Sequence, residues 1–217
     1  PGMKEEEEGC DELLAQVKDF FRYLDKKEYV ERVLMENDSW SVFKSALSKL
    51  SAKPPAPSGE GLDPAVLTRN VYHFFRVLDG REIQLAKDVL RHEADTLEFN
   101  LEMFYRWLTL GDECPDPEGI RPSREALYRY AGFFLNTIGG RSYLFRRAPE
   151  ARLLVTYYSL LILHRADRQG RNHEGIDIFP FVKRTKEEIA SYHGLHFKQD
   201  YLNKLSEMEA YYSGRRE

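Results

Sequence analysis

The chain has 217 residues, of which 42% are hydrophobic and 31% charged, a balance typical of a globular protein with a substantial hydrophobic core. Its longest nearly uninterrupted apolar run, residues 153–163, is too short to cross a bilayer, so we expect no membrane span. The opening residues contain no apolar signal-peptide segment, and two cysteines, Cys10 and Cys114, are too few for a disulfide framework. We therefore expect a cytoplasmic protein.

Apolar residues recur at helical spacing along nearly the whole chain, which predicts an all-α fold. The clearest case is 81–110, where two adjacent apolar stripes predict one continuous helix. Asp63-Pro64 predicts a helix start, and Gly80 predicts the end of that helix. The segment 153–163 is apolar on all sides and predicts the central core helix.

Three further helix starts are predicted from capping signals, at Ser123, at Pro149 and at the capping box 185–188. Residues 176–182 are the one candidate for a short extended piece. The proline-rich segment 51–62 predicts a linker, which divides the chain into an N-terminal helical hairpin, 1–50, and a main helical domain, 63–217. Residues 112–122 predict a second proline-rich loop.

One nine-residue pattern recurs near predicted helix ends. Residues 20–28 and 74–82 are identical at six of nine positions, at an offset of 54, and 133–141 is a looser third copy. A duplication would give stacked helical hairpins with a degenerate repeat of about 55 residues. The alternative is chance similarity between the ends of amphipathic helices.

Charge is unevenly distributed along the chain. Residues 1–120 hold 15 Lys and Arg against 25 Asp and Glu, a net charge of −10, whereas residues 121–185 hold 12 against 5, a net charge of +7. Eleven of those twelve cations are arginines, whose planar guanidinium groups pair bidentately with carboxylates and phosphates. Either the two halves pair with each other in the fold, or the basic segment is an exposed anion-binding surface.

No catalytic, metal-binding or cofactor motif stands out. His193 and His196 are three residues apart but lie on both sides of Gly194, and a zinc site needs about four ligands. Phosphate loops, dinucleotide-binding glycine patterns and nucleophile elbows are absent from the sequence. We predict no catalytic residue, no metal and no cofactor.

The Arg-rich segment is the candidate partner-binding site, because it interleaves cations with aromatic residues. These observations favour a non-enzymatic adaptor or regulatory protein that binds an acidic protein partner, or a second copy of itself, through an Arg/aromatic face. A nucleic-acid-binding module using the same arginines is the alternative, and the acidic first half counts against it. The candidate residues are Arg141, Tyr143, Arg146, Arg147, Arg165, Arg168, Arg171, Lys183 and Arg184.

Overall fold

The computed structural model describes residues 2–29, 38–55, 76–135 and 148–216. Within these ranges the chain forms eight α-helices, a short 3₁₀ turn and no strand, which confirms the predicted all-α class. None of the described helices is both long and apolar enough to cross a membrane. The helices are α1 (Gly2–Asp25), α2 (Ser39–Ala52), α3 (Gly80–His92), α4 (Leu97–Leu108), α5 (Arg124–Phe133), α6 (Pro149–Arg168), α7 (Phe179–Ser191) and α8 (Lys198–Ser213).

The described residues divide into two compact units. The N-terminal unit holds those of 2–54 and 76–126, and the C-terminal unit holds Pro55 and those of 127–216. The predicted division into 1–50, 51–62 and 63–217 stays a prediction, as does the 55-residue repeat. Residues 56–75 and 136–147 lie outside the described ranges, and with them the predicted start at Asp63-Pro64.

The N-terminal unit is built around α1, whose buried side chains face α2, α3 and α4. Phe21 is 2% exposed, and its ring stacks on that of Phe43 with 4.5 Å between the centroids. Trp107 of α4 is equally buried and completes the same aromatic core. Burying several aromatic side chains together supplies much of the apolar area that stabilises so small a unit.

A disulfide joins Cys10, in α1, to Cys114, in the predicted loop 112–122. The loop is held further by Glu118, which pairs with Lys18 (2.7 Å) and Lys44 (3.4 Å). Two cysteines are too few for a framework of several disulfides, but the fold brings α1 and the loop together and joins this one pair. Disulfides are typical of oxidising compartments, so the cysteines no longer support a cytoplasmic location.

The helix predicted over 81–110 is interrupted at Glu93, where a 3₁₀ turn separates α3 from α4. Glu93 is 4% exposed, and its carboxylate accepts hydrogen bonds from the hydroxyls of Tyr29 and Tyr23, the latter at 3.3 Å. The ammonium of Lys27 lies 3.9 Å away. The partners of this buried carboxylate come from the end of α1 and the residues that follow it. Hydrophobic periodicity alone does not reveal the break, because these partners are distant in the sequence.

Local signals located some helix ends correctly. The Ser123 hydroxyl accepts a hydrogen bond from the backbone N–H of Ala126 (3.1 Å), and Pro149 is the first residue of α6, as predicted. Gly80 was predicted to end a helix, but it is the first residue of α3. Asp79 caps α3 by accepting from the N–H of Glu82 (3.0 Å).

The predicted helix start at 185–188 is wrong, because α7 already begins at Phe179 with Pro180 in its first turn. Thr185 is buried inside this helix at 3% exposure. The extended piece expected over 176–182 is likewise absent, since 179–182 is helical. Proline in the first turn is an equally valid start signal, and here it comes five residues before the capping box.

The C-terminal unit has α6 in its core, as predicted from its apolar sequence. Leu154, Leu160 and Leu163 of α6 are fully buried, and so are Val182 of α7 and Leu205 of α8. Helices α7 and α8 pack on each other and α7 packs on α6. This packing brings the C-terminal end of α6, the start of α7 and the end of α8 to one end of the unit.

Candidate functional site

The C-terminal end of α6 is closed by a Schellman motif, which turns the chain back along the helix. Gly170 adopts φ +67°, in the left-handed region that glycine enters without a steric penalty. The N–H of Arg171 donates to the carbonyl of Ala166 (2.7 Å), and the N–H of Gly170 donates to that of Asp167 (3.1 Å). The motif places the loop 169–178 beside the last turn of α6.

Asn172 holds this loop to the rest of the unit. Its side-chain oxygen accepts from the hydroxyl of Tyr128 (2.6 Å) and the N–H of Ile176 (3.0 Å). Its side-chain nitrogen donates to Asp167 (2.8 Å) and to the Ile176 carbonyl (2.9 Å). A single half-buried amide thus ties α5, α6 and the loop into one polar network.

The network continues from Asp167 through Tyr212 to His164. The Tyr212 hydroxyl donates to Asp167 Oδ2 (2.6 Å) and lies 3.0 Å from His164 Nδ1. A phenol has one proton and an ionised carboxylate only accepts, so the proton between Tyr212 and His164 belongs to Nδ1. This inferred tautomer leaves the lone pair of neutral His164 on Nε2.

The surroundings shift the pKa values of His164 and Tyr212. Burial lowers the pKa of His164 below 6.5, and the charges of Arg168, Lys204 and Arg215 lower it further, whereas Asp167 acts in the opposite sense. Burial and the hydrogen bond to Asp167 raise the pKa of Tyr212 far above 10. Three cations from two helical segments therefore act together on one half-buried imidazole.

Cations also lie over aromatic rings at this end of the unit. Lys183 and Arg216 lie over Phe179, at 4.5 and 4.4 Å from the ring centroid. Arg184 lies 5.0 Å from the centroid of Phe181, and the pair of Arg215 with Tyr211 measures 4.2 Å. We call this surface the basic end. It comprises the last turn of α6, the loop 169–178, the first turns of α7, and the last turn of α8 with the residues after it, together with Lys204.

Several basic-end cations have no carboxylate partner. Within the described ranges, Arg168, Lys183, Arg184 and Arg215 make no ion pair. Arg216 differs, since it pairs with Asp177 at 2.6 Å. These four cations are thus available to a ligand.

The structure brings five of the predicted site residues to the basic end. Arg165 and Arg168 are exposed on the last turn of α6, and Lys183 and Arg184 are exposed on the first turns of α7. Arg171 follows the Schellman motif, with its guanidinium hydrogen-bonded to the side chain of Gln169 (2.6 and 2.9 Å). The other four predicted residues, Arg141, Tyr143, Arg146 and Arg147, lie outside the described residues.

Sequence reasoning missed the contribution of α8. Lys204, Tyr211 and Arg215 are spaced seven and four residues apart, which is typical of one helical face, yet none of them is among the predicted site residues. His164 is also absent from the predicted site residues. That spacing could have predicted a shared face on α8, whereas the contact between α8 and α6 is visible only in the structure.

These features define an all-helical protein with a cationic and aromatic surface at one end of its C-terminal unit. Among the described residues, no group of three His, Cys, Asp or Glu side chains is placed to hold a metal ion. Comparisons with protein-family models, curated proteins and solved structures found no match. Function is therefore proposed from the chemistry of the basic end.

Proposed function

We propose that the chain is a non-enzymatic helical adaptor or regulatory protein that binds an acidic protein partner through the basic end. The observation that carries this proposal is the set of cations held over aromatic rings, at 4.2–5.0 Å from the centroids. A cation–π contact restrains a long side chain without neutralising its charge. The entropy cost of ordering that side chain on binding is therefore lower.

The ring contacts favour a protein partner over a nucleic acid. Single-stranded nucleic acids bind by stacking bases on aromatic faces. At the basic end the rings of Phe179, Phe181 and Tyr211 already have cations over them, which leaves less ring area for stacking. Charge pairing with carboxylates needs no free ring face.

The cellular location of the protein is a separate question. The predicted cytoplasmic location rests on sequence features alone, and the Cys10–Cys114 disulfide counts against it. An acidic partner in an oxidising compartment fits the observed chemistry better.

The proposal is tested with poly-glutamate as a probe for acidic protein surfaces, and with a single-stranded oligonucleotide as the competing ligand. We expect the wild-type protein to bind poly-glutamate, and the double variant Arg165→Glu/Arg168→Glu to lose this binding with a nearly unchanged thermal midpoint. Lys53→Glu, a charge reversal at an exposed residue of the N-terminal unit, is the matched control and should bind as wild type.

Titration in a salt series separates the two ligand classes. Tight oligonucleotide binding that falls steeply with salt, with weak poly-glutamate binding, would establish the nucleic-acid alternative instead. Unfolding of the double variant would show that these arginines stabilise the fold rather than a complex. A second variant, Lys183→Glu/Arg184→Glu, then tests the same surface from α7.

A further inference from the structure

Three cationic side chains of the basic end act on the imidazole of His164. Arg168 lies one helical turn after His164 on α6, where side chains four residues apart share a face. Lys204 and Arg215 act electrostatically on the same imidazole from α8 and the turn after it. Helix α8 packs directly on this imidazole, because the rings of Tyr211 and Tyr212 lie 5.0 and 5.5 Å from that of His164. The guanidinium of Arg215 lies 4.2 Å from the centroid of the Tyr211 ring, which places it beside the same contact.

The imidazole is held in a defined orientation by its neighbours. Its Nδ1 is engaged by Tyr212, whose hydroxyl is fixed in turn by Asp167. Only Nε2 remains to interact with a ligand, and it becomes a donor when the ring is protonated. Such a supported histidine is preorganised for an anion.

The carboxylates nearby offset only part of this charge. Asp167 accepts hydrogen bonds from Tyr212 and Asn172, at 2.6 and 2.8 Å, and acts on His164 in the sense opposite to the cations. Glu207 pairs with Lys204 across one turn of α8 at 3.2 Å, but that pair is largely exposed and therefore weak. Arg168 and Arg215 make no ion pair with a described carboxylate.

We propose that His164, Arg168, Lys204 and Arg215 form a binding site for a phosphate monoester dianion. A phosphate group offers two charges and several acceptor oxygens, which matches several converging cations better than a single carboxylate does. The inference rests on the proposed function, since the same surface would bind the partner. It specifies that the group recognised is a phosphate, carried by a phosphorylated side chain of the partner or by a small molecule.

The site makes binding depend on pH in a defined direction. An anion at Nε2 stabilises the protonated ring, so ligand binding raises the pKa of His164, and affinity rises as the pH falls. The charged and titratable groups that act on this ring are Asp167 and Arg168 from α6, and Lys204, Tyr211, Tyr212 and Arg215 from the α8 side.

The test uses inorganic phosphate and inorganic sulfate, titrated at constant ionic strength while NMR follows the imidazole signals of His164. Sulfate remains a dianion across the range, so its pH dependence reports on the protein alone. We expect saturable shifts of the His164 signals with both anions, and tighter sulfate binding at lower pH. The variants Arg168→Gln, Lys204→Gln and Arg215→Gln should each bind about tenfold more weakly, because each loses a charge-assisted hydrogen bond.

Lys53→Gln is the matched control, because it removes an exposed cation of the N-terminal unit, outside the basic end. It should bind phosphate as tightly as wild type. An equal loss in this control, or no saturable shift of His164, would overturn the phosphate site. Poly-glutamate binding that persists in that case would leave the proposed function intact, so the two failures are distinguishable.

A phosphoserine peptide identifies the source of the phosphate group. Tighter binding of the peptide than of inorganic phosphate assigns the site to a phosphorylated side chain of the partner. Equal affinity assigns it to a small phosphate ligand. The unphosphorylated peptide is the control for both, and equal binding with and without the phosphate contradicts the proposal.

Discussion

Single buried polar residues decide where this chain departs from its helical pattern. Glu93 lies between α3 and α4 and is satisfied by Tyr23, Tyr29 and Lys27 from the end of α1. Burial and the hydrogen bond to Glu93 together raise the pKa of Tyr29 well above 10, so its hydroxyl stays a donor. None of these three partners is near Glu93 in the sequence, so periodicity predicted a continuous helix.

Replacing Glu93 with Gln should lower the free energy of unfolding by about 1–3 kcal/mol, because an amide nitrogen then faces hydroxyl and ammonium donors. The measurement is urea denaturation followed by tryptophan fluorescence, since both tryptophans, Trp40 and Trp107, belong to the N-terminal unit. Asp95→Asn, at an exposed position two residues on, is the control and should change stability little. Equal effects of both substitutions would show that the Glu93 hydrogen bonds contribute nothing to stability.

At the basic end, some of the individual site residues could be predicted from the sequence. Arg168, Lys183 and Arg184 were predicted from the sequence because they belong to a segment that interleaves cations with aromatic residues, and exposed positions are usual for arginine and lysine. His164, Lys204 and Arg215 were not, since their shared role depends on α8 packing beside α6.

The starts of helices were predicted best where a capping residue or a proline at the start itself marks them. Ser123 and Pro149 mark helix starts through their own hydrogen-bonding and backbone geometry, and both predictions are confirmed. The predicted start at 185–188 failed because two valid start signals compete, and burial of Phe179 and Val182 extends α7 past the second. The link between α1 and the loop 112–122 joins residues 104 positions apart, a separation at which sequence spacing carries no pairing information.

We expect the disulfide between α1 and the loop 112–122 to stabilise the N-terminal unit. Cys10→Ser, or reduction of the wild type, should lower the free energy of unfolding of the N-terminal unit by about 2–5 kcal/mol, mainly by freeing the unfolded chain. Urea denaturation by tryptophan fluorescence measures this, with and without dithiothreitol. Because the variant has no disulfide left to reduce, dithiothreitol should not change its midpoint. Two reactive thiols in the untreated native protein would contradict the bond.

At the scale of the molecule, shifted pKa values set the pH range of stability. Hydrogen bonds from Ser41 and Lys18 hold the pKa values of Asp38 and Glu118 below 3.8 and 4.5, so their stabilisation is lost as pH falls through the folded pKa values. His164, with a lowered pKa, adds a loss that begins below pH 6.5. Burial raises the pKa of Tyr130 to about 12 and helps raise that of Tyr29 further, so their contribution is lost above pH 10.

We therefore expect the thermal midpoint to be highest between about pH 6.5 and 10 and to fall on both sides. Thermal unfolding by circular dichroism across this range measures it. Tyr130→Phe removes a phenol whose pKa is raised by burial alone and should flatten the alkaline decline. An unchanged alkaline decline in that variant would exclude Tyr130 as a cause.

The bond between Cys10 and Cys114 also makes a closed covalent ring out of almost half of the chain. A protease that cuts any single peptide bond inside the ring opens it without releasing a fragment. The nicked molecule would run as one species on a non-reducing gel and separate into two after reduction. Integrity judged on non-reducing gels alone would therefore overlook such cleavage, and activity assays on stored protein need the reduced sample beside them.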